Sequence, residues 1–90
     1  MSNERPTTTG GALARATSTL RSAGLPSPRL DAEVLLGHVL DCSRTRLAID
    51  ANESIDRSQV EAFDLLVSRR VAGEPVAYLT GHREFMGRDF

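Results

Sequence analysis

Twice the chain carries a glycine with a proline two residues behind it, at Gly24-Leu25-Pro26 and at Gly73-Glu74-Pro75. A glycine can take the left-handed conformation that closes a helix, and the proline beyond it cannot extend one. Two such stops confine the chain to short helices, and short helices find a core only by packing side by side. Leu, Ile, Val and Phe fill 22 of the 90 positions, above the roughly 20% below which a chain tends to disorder. The chain should fold as one small domain. A domain of this size buries only about 60 to 65% of its unfolded surface, so a few large side chains decide its stability.

Helical periodicity fills the space around the stops. Residues 1–8 are polar and are expected to be a disordered lead-in, with Gly10-Gly11 as a flexible continuation. From Thr9, the residues Leu13, Ala16, Leu20 and Ala23 draw one apolar stripe. Gly24 then stops the helix, with Leu25 placed to touch Leu20 across a Schellman turn. Ser27-Pro28 starts a second helix, which runs to about Asp41. Ala32, Leu35, Leu36, Val39 and Leu40 give it a wide core-facing arc, and Leu30 and Val34 point the other way. Ser43 caps a short helix whose Leu47 and Ile49 should lie on the same core.

The fourth helix is the best marked. Asp56 and Gln59 have the spacing of a capping box, Ile55 and Val60 that of a hydrophobic staple, and Val60, Phe63, Leu66, Val67 and Val71 share a face. Pro75 opens a last short helix through Leu79, closed by Gly81. REFMGRDF, residues 83–90, reads as an extended strand without a partner in this sequence. The fold class is therefore all-α, a bundle of four to five helices with the second at its centre, ending in a strand.

Charge and side-chain chemistry exclude more than they suggest. Eleven basic residues, all arginine, nearly cancel twelve acidic ones, so no global field attracts nucleic acid. Cys42 is the lone cysteine, which excludes an intrachain disulfide and leaves a half-buried, inert thiol as the expectation. His38 and His82 do not supply ligands at zinc spacing, so no metal is expected. No apolar run reaches membrane-spanning length, and the N-terminus lacks a signal-peptide core, which leads to a cytoplasmic reading. Arg70 falls inside the apolar arc of the fourth helix. Either its stem packs while its head reaches solvent, or it pairs with Asp31 or Glu33 of the second helix, with Arg69 the alternative if the helix phase is shifted. No nucleophile, base and oxyanion set is apparent, so the residues alone read as a helical binding or docking module.

Three strings carry a resemblance: SPRLDAEVLLGHVL at 27–40, SRTRL at 43–47 and RRVAGEPVAYLTGHREFMGRDF at 69–90. In this order the chain, over about residues 12–90, resembles the N-terminal domain of the bacterial protein-(glutamine-N5) methyltransferases, the HemK or PrmC family. The resemblance implies a longer enzyme in which a helical domain, residues 9–81 here, is joined through a short β-hairpin to an S-adenosylmethionine-dependent methyltransferase domain. Residues 82–90 would start that hairpin. Its substrates would be class I peptide chain release factors, methylated at the glutamine of a Gly-Gly-Gln motif.

The glycine-rich donor turn and the Asn-Pro-Pro-Tyr motif of that family have no match here, so no catalytic or cofactor-binding residue carries over. The chain alone is expected to be inactive, monomeric and free of S-adenosylmethionine. Its work would be to dock the release factor. The expected docking residues lie on the outer side of the second helix: Arg29, Leu30, Asp31, Glu33, Val34 and His38, some of them open to solvent and Leu30 more readily covered by the fold-back at Pro28. Asp56, Arg69, Arg70, Gly73, Pro75 and Gly81 are expected to serve architecture. The rival reading is a free-standing nucleic-acid or ribosome-binding module using Arg44, Arg46 and Arg57 as phosphate contacts.

Overall fold

A computed structural model describes residues 7–80. The first helix, α1 (Thr9–Ser22), starts where the Thr8 hydroxyl accepts from the Gly11 N–H at 3.0 Å. It ends as the glycine stop dictates: Gly24 has φ +85°, its N–H donates to Arg21 O, and the Leu25 N–H reaches back to Leu20 O. These two bonds make a Schellman turn, and Leu25 packs onto the core as the motif requires.

The second helix, α2 (Pro28–Leu40), has its proline in the first turn. It ends at the expected place, about Asp41, by a device the sequence did not announce: Asp41 takes the left-handed conformation, φ +58°, and the Cys42 N–H donates to Gly37 O at 2.9 Å. Helix α3 (Arg44–Ile49) is capped by the Ser43 hydroxyl, which accepts from the Arg46 N–H at 3.1 Å. Helix α4 (Arg57–Val71) opens on the expected capping box, with the Asp56 N–H donating to Gln59 Oε1 at 3.1 Å. It closes on a second Schellman turn at Gly73, φ +110°, where Gly73 N–H donates to Arg70 O and Glu74 N–H to Arg69 O. Pro75 then accepts from the Tyr78 and Leu79 amides at the start of α5 (Val76–Thr80).

The expected all-α bundle is present among the described residues, which hold five helices. Helix α2 is central, touching each of the other four. Leu13 and Leu20 of α1, Leu35 and Leu36 of α2, Leu47 of α3, Phe63 and Val67 of α4 and Leu79 of α5 form one core. Phe63, fully buried, is its largest side chain, and burial of such a ring stabilises by roughly 1.5–3 kcal/mol.

Three expectations need correction. Thr7 and Thr8 belong to the folded body: the Ile55 N–H donates to Thr7 O, and Thr8 forms an antiparallel bridge with Ser54. Gly10-Gly11 is the first turn of α1 and no flexible lead-in, because Gly10 N–H donates to Ala51 O and a Cβ at Gly10 would meet that oxygen at 3.1 Å. Ile49 is 67% exposed and off the core. Six residues make less than two turns, so α3 has room for one inward side chain, which is Leu47. The helix stop at Gly81 and the strand at 83–90 lie outside the described residues.

Candidate functional site

The outer side of α2 follows from its inner side. Once Ala32, Leu35 and Leu36 are buried, Leu30, Val34 and His38, spaced by four, fall on the opposite edge. Leu30 is 42% exposed, so the chain does not fold back over it after Pro28. Val34 and His38 are half-buried and line an open groove of about 410 Å³. Cys42, Ser43 and Arg44 form one side of this groove and Thr80, at the end of α5, another. Thr80 was not singled out in the sequence, because nothing local to residue 80 says that α5 lies against α2.

Two of the expected docking charges are engaged within the fold. Asp31 is buried, and its Oδ2 accepts from Arg70 Nε at 2.9 Å. That settles the alternatives for Arg70 in favour of the ion pair and removes Asp31 from the open face. The signal was available: Asp31 stands four residues before Leu35 and therefore shares the core-facing side. Arg70 also donates from Nη1 to Glu74 O at 3.1 Å. Arg69, the alternative partner, instead grips the Glu74 carboxylate with Nε and Nη2, the shortest contact being 2.7 Å.

Glu33 is the second engaged charge. One carboxylate oxygen accepts from Arg44 Nε at 2.8 Å and the other from Arg29 Nε at 2.9 Å. The Arg44 hydrogen bond, opposed by desolvation and joined by Arg29, holds the carboxyl below the usual range. Glu33 thus ties α2 to the first residue of α3, and Arg29 forms the rim of the open face.

The arginines of the nucleic-acid reading are also committed. Arg44 serves Glu33, Arg46 Nε donates to Asp50 Oδ2 at 2.8 Å, and Arg57 has a partner of its own. Cys42 is half-buried in the side of the groove, and burial pushes its thiol up, aided by Asp50 and opposed by Arg46. Among the described residues, no three His, Cys, Asp or Glu side chains cluster as metal ligands, and no helix is long and apolar enough to cross a membrane.

The face assembled from these residues is a modest apolar stripe, Leu30 and Val34, bounded by Arg29, His38 and the Glu33–Arg44 pair. Such a surface can hold another macromolecule by shape and rim polarity.

Comparison with known proteins places the chain, though not this face, in a family. The chain is 44% identical over 71 residues to the release factor glutamine methyltransferase of Koribacter versatilis, covering 79% of this chain and 25% of that protein. It is 39% identical over 80 residues to the release factor glutamine methyltransferase of Nitratidesulfovibrio vulgaris, 89% of this chain and 27% of that one. A bifunctional methyltransferase of Rickettsia conorii is 40% identical over 78 residues, 87% of this chain and 15% of the relative. The chain thus spans between 15 and 27% of the length of these relatives. No solved structure matches significantly. The sequence model of the PrmC N-terminal domain matches residues 11–81, nearly the whole helical bundle, and the chain belongs to that family.

Proposed function

We propose that this chain is the substrate-docking domain of a release factor glutamine methyltransferase. A following domain would use S-adenosylmethionine to methylate the glutamine of the Gly-Gly-Gln motif in class I peptide chain release factors. The observation that carries the reading is the family match over residues 11–81. The open stripe of Leu30 and Val34 supplies the docking face, with Arg29 and His38 at its rim. Docking adds no chemistry. It converts the encounter between the glutamine and the methyl donor into a tethered one, raising the effective concentration of the reacting amide.

The described residues do not fit a donor site. The adjacent glycine pair, Gly10-Gly11, has both amides in use, Gly10 N–H on Ala51 O and Gly11 N–H on Thr8 Oγ1, and its backbone is covered by Ala51. We read the chain as a cytoplasmic monomer, and the poor fit to a donor site makes it inactive by itself and without bound S-adenosylmethionine. Calorimetry giving stoichiometric, micromolar binding of the donor to this chain contradicts that.

The docking face is tested with Val34→Asp in the full-length enzyme. The expected result is a raised KM for the release factor, with the far-UV spectrum and melting temperature of the 90-residue chain nearly unchanged. Loss of folding makes Val34 a core residue. An unchanged KM in a folded variant moves the docking surface elsewhere.

A further inference from the structure

Arg70 joins two elements that are remote in sequence. Its Nε donates to Asp31 Oδ2 in the first turn of α2, 39 residues away, at 2.9 Å, and its Nη1 donates to Glu74 O, at the turn between α4 and α5, at 3.1 Å. The two side chains are only 19% and 11% exposed. A pair so placed needs a reason, because apolar residues of similar volume can often replace a largely buried ion pair without loss of stability, or with a gain. What the pair supplies and an apolar contact does not is direction. A guanidinium fork is planar and fixes the relative geometry of the groups it joins.

The other fastenings of the turn, its two Schellman bonds and the Arg69–Glu74 pair, run back to α4 and not to α2. Gly73 gives backbone freedom at φ +110°, and α5 is five residues long with a single buried side chain, Leu79. Arg69 fastens the Glu74 carboxylate to α4, whereas Arg70 ties the Glu74 backbone across to α2. Beyond that turn α5 carries Thr80 into the wall of the groove that Val34 and His38 line.

We propose that Arg70 is a positioning residue that sets α5 against α2 and so fixes the Thr80 wall of the α2 groove. The consequence for release-factor docking rests on the function proposed above, whereas the geometric role does not.

The test compares Arg70→Lys, Asp31→Asn and the apolar pair Asp31→Leu with Arg70→Met. In each folded variant, the Tyr78 and Leu79 amides, which donate to Pro75 O, should exchange with solvent at least tenfold faster than in wild type. Ala16 and Leu20 in α1 should keep their rates. The apolar pair is decisive, because it restores packing without restoring the fork: a merely structural Arg70 would let it recover wild-type exchange at Tyr78 and Leu79. That recovery overturns the proposal, as do unchanged rates in Arg70→Lys or an equal acceleration in α1 and α5. In the full-length enzyme, the apolar pair should raise KM for the intact release factor several-fold while leaving kcat and the turnover of a short Gly-Gly-Gln peptide unchanged. If Val34→Asp leaves KM untouched, the docking reading has failed, and the exchange rates alone still decide the role of Arg70.

Discussion

Gly37 faces the carbonyl of Cys42 so closely that a Cβ on Gly37 would lie 2.8 Å from that oxygen. The approach exists because the Cys42 N–H donates back to Gly37 O while Asp41, in the left-handed conformation, turns the chain over the end of α2. In an unobstructed helix, Gly→Ala would gain about 0.8–1.0 kcal/mol of helix propensity. Here the obstructing atom is backbone and cannot swing aside, and overpacking costs about 1–3 kcal/mol. Gly37→Ala is expected to destabilise on balance, with a melting temperature lowered by about 4–8 °C per kcal/mol lost. A higher melting temperature would show that the α2–α3 turn yields.

Phe63 and Leu65 stand two residues apart on α4 with opposite surroundings, 0% and 59% exposed. Phe63→Ala should cost about 3–5 kcal/mol, a large part of the stability of so small a domain. Leu65→Ala should stay within about 0.5 kcal/mol of wild type. Urea unfolding of the two variants measures the difference, and a similar loss in both would move Leu65 into a contact the bundle does not show.

Acid should act through Glu33. Its carboxyl is held below its ordinary value of 4.5, chiefly by Arg44, so the unfolded chain takes up the proton first. The stabilisation is fully present above the unfolded value and is lost as pH falls through the folded one. Wild type should therefore lose urea resistance below about pH 4.5 more steeply than Glu33→Gln. Parallel acid profiles for the two proteins would mean that the Arg29–Glu33–Arg44 cluster contributes nothing to folding.

Cys42 should be slow to alkylate. Burial raises its thiol, and Asp50 adds to the effect, which leaves less thiolate at neutral pH. Iodoacetamide at pH 7 is expected to label the folded chain several-fold more slowly than the same chain in urea. Equal rates would place the sulfur in open solvent.

Local signals in the sequence reported the parts of the fold that local chemistry controls. Gly24, Ser43, Asp56 with Gln59, and Gly73 each state a helix boundary within four residues of themselves, and each boundary stands where they put it. What stayed illegible depends on partners far along the chain. Thr7 and Thr8 look like a polar tail until Ser54 and Ile55 are beside them. Ile49 has the composition of a core residue, but α3 is too short to bury it as well as Leu47. The candidate face was half legible: the α2 wheel put Leu30 and Val34 on the outer side, whereas Thr80 entered the groove through the packing of α5. Asp31 reads two ways, as a charge on the outer side of α2 and as a partner of Arg70, and only the second stands, as its four-residue spacing to Leu35 indicates.

The ladder that joins residues 7–10 to residues 51–55 makes the start of α1 and the loop before α4 a single seam. Its bonds are between main-chain groups, so side-chain identity at Thr7, Ala51 and Glu53 matters less there than the presence of the chain itself. Cutting at Thr9 would leave the Ile55 amide without the Thr7 carbonyl and the Gly11 amide without the Thr8 hydroxyl. The folded unit therefore includes Thr7 and Thr8 ahead of the first helix, and a shortened protein that starts at the helix would open along this seam first.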